Sequence, residues 1–122
     1  GWYDQGGGDY VSEHNYFRDL RLPKGHGRDD ERARVISEFG GSAFRVEGHS
    51  AIERSYGYDN HEDAEEFTAA VKHGLDEANS LEAAGLSGYV YTQLTDVEEE
   101  VNGLITYDRR IVKARLASVD EA

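Results

Sequence analysis

Two apolar runs with one long amphipathic stretch between them constrain this chain more than any other feature. The first, Ala33-Arg34-Val35-Ile36-Ser37-Glu38-Phe39, is stopped by Gly40-Gly41, and the second is Ser87-Gly88-Tyr89-Val90-Tyr91-Thr92-Gln93-Leu94. Both are rich in the β-branched and aromatic residues that suit a pleated surface. From about Glu62 to Ala84, Phe67, Val71, Leu75, Ala78 and Leu81 or Glu82 recur at three-or-four spacing, which lines one face of a helix. Asn60 is the expected N-cap, Glu62, Asp63, Glu65 and Glu66 crowd the positive end of the helix dipole, and Gly85 is the expected stop. Gly74 lies inside the stretch at a cost of ~1 kcal/mol relative to Ala, so a bend or close packing is expected there. Strand, helix, strand with short connections is a βαβ unit, which predicts that the two strands are parallel.

A third apolar run, Tyr10 to Phe17, precedes these, and Leu104 to Tyr107 reads as a short further strand. Between them, Arg18 to Arg32 is polar, holds the only Pro and promises at most a helical turn or two near Asp29 to Ala33. The chain shows no internal repeat, no low-complexity linker and no internal domain boundary across residues 1–122. Three parallel strands and one helix would leave both sheet edges unpaired, so the fold is expected to be incomplete on its own or supported by copies of itself.

Composition narrows the partners. The formal net charge of −12 opposes binding to the phosphates of nucleic acid and to anionic membrane surfaces. No apolar run reaches the ~20 residues of a membrane helix, and no signal peptide is visible, so the expected location is cytoplasmic. One Trp, eight Tyr and four Phe separate the chain from disordered acidic tails. Without Cys there is no disulfide framework, thiolate metal site or cysteine nucleophile.

Ser37-Glu38-Phe39-Gly40-Gly41 is the most informative pentapeptide. A carboxylate near the end of an apolar strand is costly unless it is paired or used, and strand ends are where catalytic groups gather in parallel α/β folds. A salt-bridged structural Glu satisfies the same pattern. His14-Asn15-Tyr16 ends one neighbouring run, and Tyr91-Thr92-Gln93-Leu94-Thr95-Asp96 ends the other. Parallel neighbours would converge these groups on one rim with Glu38 at its centre, although tyrosines at core edges and a turn-forming Asp96 fit as well.

Several ordered motifs resemble glycoside hydrolase family 2, in its bacterial β-galactosidase-like branch. They are Gly1-Trp2-Tyr3-Asp4-Gln5-Gly6-Gly7-Gly8-Asp9, His14-Asn15-Tyr16, Ser37-Glu38-Phe39-Gly40-Gly41, Gly48-His49, Tyr91 to Glu98 and Asn102 to Arg109. The resemblance implies an α/β fold in which the chain is the C-terminal portion, about strands 6–8, of a TIM-type (β/α)8 barrel. It implies a retaining exo-β-glycosidase acting on a carbohydrate substrate without a cofactor or metal. Glu38 would be the nucleophile that forms a glycosyl ester, and Tyr16 would hydrogen-bond and orient it. His14 and Asn15 would line the sugar pocket, Tyr91 would form its apolar floor where relatives often carry Trp, and His49 and Asp96 would contact substrate.

Retaining hydrolysis needs a second carboxyl group ~5–5.5 Å from the nucleophile. The family's acid/base Glu follows an Asn, and no Asn-Glu dipeptide occurs in these 122 residues. The chain also contains no Met, so it reads as the tail of a longer catalyst and is expected to be inactive alone. A non-catalytic acidic module that binds a glycan or a protein partner is the alternative. Other motifs carry less. Gly6-Gly7-Gly8 lacks the strand, helix and Lys of a phosphate loop. His14, His26, His49, His61 and His73 have no metal-ligand spacing, and His61 and His73 are expected on the exposed side of the helix. The Asp96 to Glu100 cluster lacks the ligand alternation of a calcium loop, and no Ser sits in a nucleophile elbow.

Overall fold

A computed structural model describes residues 2–16, 19–27, 29–51, 53 and 59–116. The element order is β1 (Tyr10–Asn15), β2 (Ala33–Gly40), β3 (Ser42–Ala43), β4 (Asp59–Asn60), α1 (Ala64–Ser80) and β5 (Leu86–Thr92). β1, β2 and β5 form one sheet in that order, with β1 and β2 parallel, while β3 and β4 pair in parallel as a second sheet. The three main strands thus form where the apolar runs predict them, and β2 and β5 are neighbours. Phe17, expected at the end of the first strand, lies outside the described residues.

The chain divides into two compact units. The first comprises Gly1–Gly40 and Gly74–Tyr91, and the second Gly41–His73 and Thr92–Ala122. In the first unit Ile36, Phe39, Ala78 and Leu86 form a buried cluster, with Leu20, Leu22, Leu75, Leu81 and Tyr91 packed around it. Phe39 meets Tyr89 and Tyr91 edge to face, with ring centroids 5.4 and 5.3 Å away. In the second unit Ala43, Phe67, Val71, Val101 and Ala114 are buried.

The expectation of a (β/α)8 barrel portion is corrected by this architecture. A barrel alternates strand and helix around one closed sheet. Here the chain passes from β1 to β2 without a helix among the described residues, and β3 and β4 form a separate sheet. Polar residues take the place of a crossover helix. Arg34 donates to the carbonyls of Pro23, Lys24 and Gly27, and Arg32 forks onto Asp30 and Asp4 at 2.6 and 2.7 Å. A segment with one apolar pair, Leu20 and Leu22, has no stripe with which to cover a sheet as a helix. The expected short strand at Leu104 to Tyr107 also gives way. Only isolated bridges form, from Ile105 to Thr95 and to Val112, and Thr106 turns the chain through its hydrogen bond to Asp108.

The Arg32 fork sets an acid limit. Hydrogen bonding to Arg32, then to the Gly6 N–H, holds the Asp4 carboxyl down at about 2, and Arg32 holds Asp30 well below the usual carboxylate range. Both carboxyls bind protons more weakly folded than unfolded, so their contribution is complete above the ordinary value of 3.8 and is lost as pH falls toward about 2. Urea midpoints measured from pH 7 to pH 2 should hold down to about pH 4 and then fall. Replacing Arg32 by Met should flatten that fall.

Helix α1 follows its predicted stripe, with Phe67, Val71 and Ala78 buried. Its start is shorter than predicted. Asp63, not Asn60, caps it, accepting the Glu66 N–H at 2.8 Å, while Asn60 pairs in β4 with Ala43. The far end is a Schellman closure. Leu86 N–H reaches the Leu81 carbonyl at 3.0 Å, Gly85 N–H reaches Glu82 at 2.9 Å, and Gly85 takes a φ of +111° that L side chains avoid. His73 is exposed as expected, but His61 precedes the helix, with its ring 6.4 Å from that of Phe67. A Cβ on Gly74 would lie 3.4 Å from Phe39 Cε2, the close packing its position promised. That distance is ordinary contact, so Gly74→Ala is expected to raise stability by up to about 1 kcal/mol, read as a higher thermal midpoint. Among the described residues no helix is long and apolar enough to cross a membrane.

Candidate functional site

The site of the first unit depends on one irregularity. Side chains alternate along a strand, so Glu38, two residues after the buried Ile36, would by period enter the core. The pairing register shows why it does not. Glu13 pairs with Ile36, but His14 pairs with Glu38 and Asn15 with Phe39, so Ser37 is an extra residue in a β-bulge. The bulge shifts the alternation by one, which buries Phe39 and turns Glu38 toward the face that carries His14. Tyr16 follows His14 by two residues and shares that face.

The result is a cluster around one carboxylate. The Tyr16 hydroxyl donates to Glu38 Oε2 at 2.8 Å, and His14 Nδ1 lies 3.2 Å from the same oxygen. Both contacts fall on Oε2; among the described residues Oε1 takes none. Glu38 keeps 41% of its side-chain surface, so the carboxylate is reachable from solvent. Beyond it the chain turns through Gly40 and Gly41, whose φ values of +111° and +78° only glycine adopts without strain. Trp2 completes the cluster, edge-on to His14 with centroids 5.3 Å apart and tilted against Tyr16 at 5.8 Å. Sequence reasoning did not single out Trp2 as a site residue; its place as the only Trp, within an opening motif, was the available signal.

The structure brings Glu38, Tyr16 and His14 together but not every residue predicted with them. Asn15 is buried, and its amide donates to the Asp19 carbonyl at 3.2 Å. Tyr91 packs on Phe39 in the helix-covered core, on the face of the sheet away from Glu38. Its hydroxyl is buried with no hydrogen-bond partner among the described residues, and burial pushes it up to about 12.

His49 and Asp96 belong to the second unit, where each has its own partner. His49 Nδ1 lies 2.6 Å from Asp108 Oδ2. The Thr106 hydroxyl, and after it His49, holds Asp108 down at about 2. Asp96 is buried in an ion pair with Lys113, Nζ to Oδ1 at 2.7 Å, and accepts the Gly103 N–H at 2.9 Å. Lys113 Nζ also donates to the carbonyls of Phe44 and Val101, and lies 5.1 Å from the Phe67 ring centroid. Lys113 was missed in the sequence, where no periodicity marks it for burial. Among the described residues no group of three or more His, Asp and Glu side chains is placed to hold a metal ion. Compared with models of known protein families and with curated proteins, the chain matches none.

Proposed function

We propose that Glu38 is the nucleophile of a retaining β-glycosidase, β-galactosidase-like in its substrate and working in the cytoplasm. One observation carries the reading. A solvent-accessible carboxylate is held at a single oxygen by the Tyr16 hydroxyl and by His14 beside an aromatic wall. A nucleophile needs this arrangement, one oxygen oriented and the other, among the described residues, open. Oε1 attacks the anomeric carbon as the glycosidic C–O bond breaks, and the departing oxygen takes a proton from an acid. Water, giving its proton to the same group, then cleaves the glycosyl ester and restores the carboxylate. The proposal assigns that acid/base role to a carboxyl group from outside these 122 residues, because the Asn-Glu pair of the resembled family is missing from them.

A substrate whose leaving group needs no proton tests Glu38 by itself. With a 2-deoxy-2-fluoro-β-galactosyl fluoride, fluoride departs unaided and the electronegative 2-fluorine slows ester hydrolysis. Mass spectrometry should find one fluorosugar on the peptide that holds Glu38, and none after Glu38→Gln. No adduct, or an adduct on another residue, overturns the assignment.

A further inference from the structure

We propose that the second unit carries a binding site of its own, which takes a small amphiphilic carboxylate: an apolar chain ending in one anionic head. The proposal does not rest on the reading of Glu38. The cavity holds about 750 Å³, inside the roughly 300–1,000 Å³ range of small-molecule sites, and its lining residues all belong to that unit. The sequence makes the space. Ala64, Thr68 and Lys72 follow one another four residues apart along α1 with Ala69 beside them, so small side chains leave a trough next to the row that buries Phe67 and Val71. Phe44, Val46, Ile111 and Val112 supply apolar walls, and Val112 keeps 65% of its surface. Hydrogen bonds tie the walls together. Lys113 Nζ donates to the Phe44 carbonyl at 2.7 Å, and the Arg115 N–H donates to the Thr68 hydroxyl at 3.4 Å. The cavity is thus formed before any ligand enters, which spares a ligand the cost of ordering it.

Charge selects the head group. Two exposed cations border the cavity, Lys72 and Arg115, and among the described residues no ion pair or side-chain hydrogen bond engages either one. Lys113, the third basic residue of the lining, is committed to Asp96 and to two carbonyls. Glu65 is the acidic residue of the lining. It precedes Lys72 by seven residues on α1, about 10 Å along the axis, and it pairs with neither cation among the described residues. A carboxylate suits both unpaired groups, the planar fork of Arg and the point charge of Lys. A neutral chain would bury the same apolar surface without that attraction, and a cationic one would be repelled.

Isothermal titration of the full chain with octanoate should reveal a single saturable site. Hexanoate should bind about tenfold more weakly, the scale of two buried methylenes. Octanol and octyltrimethylammonium, the same chain without the charge or with the opposite one, should each bind at least about tenfold more weakly than octanoate. Lys72→Gln combined with Arg115→Gln should bring octanoate down to the affinity of octanol. Ala69→Trp, at an exposed helical position, fills the trough and should abolish binding with circular dichroism unchanged. The double glutamine variant alters only exposed side chains, so it decides the matter even where Ala69→Trp disturbs the fold. No heat with octanoate, octanol bound as tightly as octanoate, or unchanged octanoate affinity in the double variant overturns the proposal. Self-association of the parent in sedimentation, lost in a folded Ala69→Trp, would give the trough to a second copy of the chain and overturn it equally.

Discussion

Lys113→Met is expected to cost about 3–5 kcal/mol of folding stability, the usual loss when one member of a buried ion pair is removed. Nζ makes three contacts within 2.9 Å, to Asp96 Oδ1 and to the Phe44 and Val101 carbonyls, and its side chain is wholly inaccessible. The methionine fills the space of the stem but leaves a carboxylate without its cation, far from water. Urea denaturation reads the loss directly, and against the 5–15 kcal/mol of a typical domain it is severe. Adding Asp96→Asn should return more than half of it, because the uncompensated charge goes while an oxygen remains for the Gly103 N–H. No other side chain fits at Gly103, where a Cβ would collide with the Asp96 backbone nitrogen, so that acceptor matters.

The same variant should acquire a distinctive pH dependence. Burial raises the Asp96 carboxyl, and the two influences of Lys113, its hydrogen bond and its charge, pull it down. Without Lys113 burial acts almost alone. A carboxyl that binds its proton more tightly folded than unfolded stabilises fully below the unfolded value of 3.8, and that contribution is lost as pH rises through the folded value. Lys113→Met should therefore be less stable at pH 8 than at pH 5, opposite in sign to the acid-side loss set by Asp4 and Asp30. Equal midpoints for Lys113→Met and the parent at pH 8 would show that the pair contributes nothing.

On the glycosidase proposal, Glu38→Gln is expected to lower turnover of an aryl β-galactoside more than about 10⁴-fold, the scale seen when a covalent nucleophile is removed. The amide keeps the shape of the carboxylate and can still accept from Tyr16, so folding should be intact. What it lacks is the negative charge that the proposed attack on the anomeric carbon requires. Two results separate a nucleophile from an acid. A dinitrophenyl leaving group, which departs without a proton, should not restore the Glu38→Gln rate. Azide supplied to Glu38→Ala should give the inverted α-glycosyl azide, since the small anion takes the vacated space and attacks once. Tyr16→Phe should lose about 10²-fold, the scale of one hydrogen-bond donor that positions a reacting group, here through the Oε2 oxygen of the carboxylate. A Glu38→Gln rate within tenfold of the parent would end the assignment.

Much of the local structure was legible. The stripe from Phe67 to Ala78, the stop at Gly85 and strands within the runs Tyr10 to Phe17 and Ala33 to Phe39 follow from periodicity and glycine placement, which act over a few residues. The N-cap was misread by three positions because Asn60 and Asp63 cap equally well in isolation, and pairing in β4 claimed Asn60. The strand expected at Leu104 to Tyr107 failed for a similar reason. Leu104 and Ile105 do bond Gln93 and Leu94, but the Thr106–Asp108 hydrogen bond turns the chain before a continuous ladder forms.

Sequence alone determined which residues are candidates for chemistry: an acidic chain without cysteine, a Glu before two glycines, and a His and a Tyr two residues apart in one apolar run. Tertiary structure alone decided what each of them meets. Read by strand period, Glu38 shares its face with buried Ile36, and only the bulge at Ser37, visible in the pairing with β1, turns it out to His14 and Tyr16. Likewise Tyr91 and Asp96 carry the right functional groups, yet one lies against Phe39 and the other is closed over by Lys113. A side chain's direction and burial depend on partners distant in sequence. The sheet ladder and the packed core set them, and neither leaves a periodic trace along the chain.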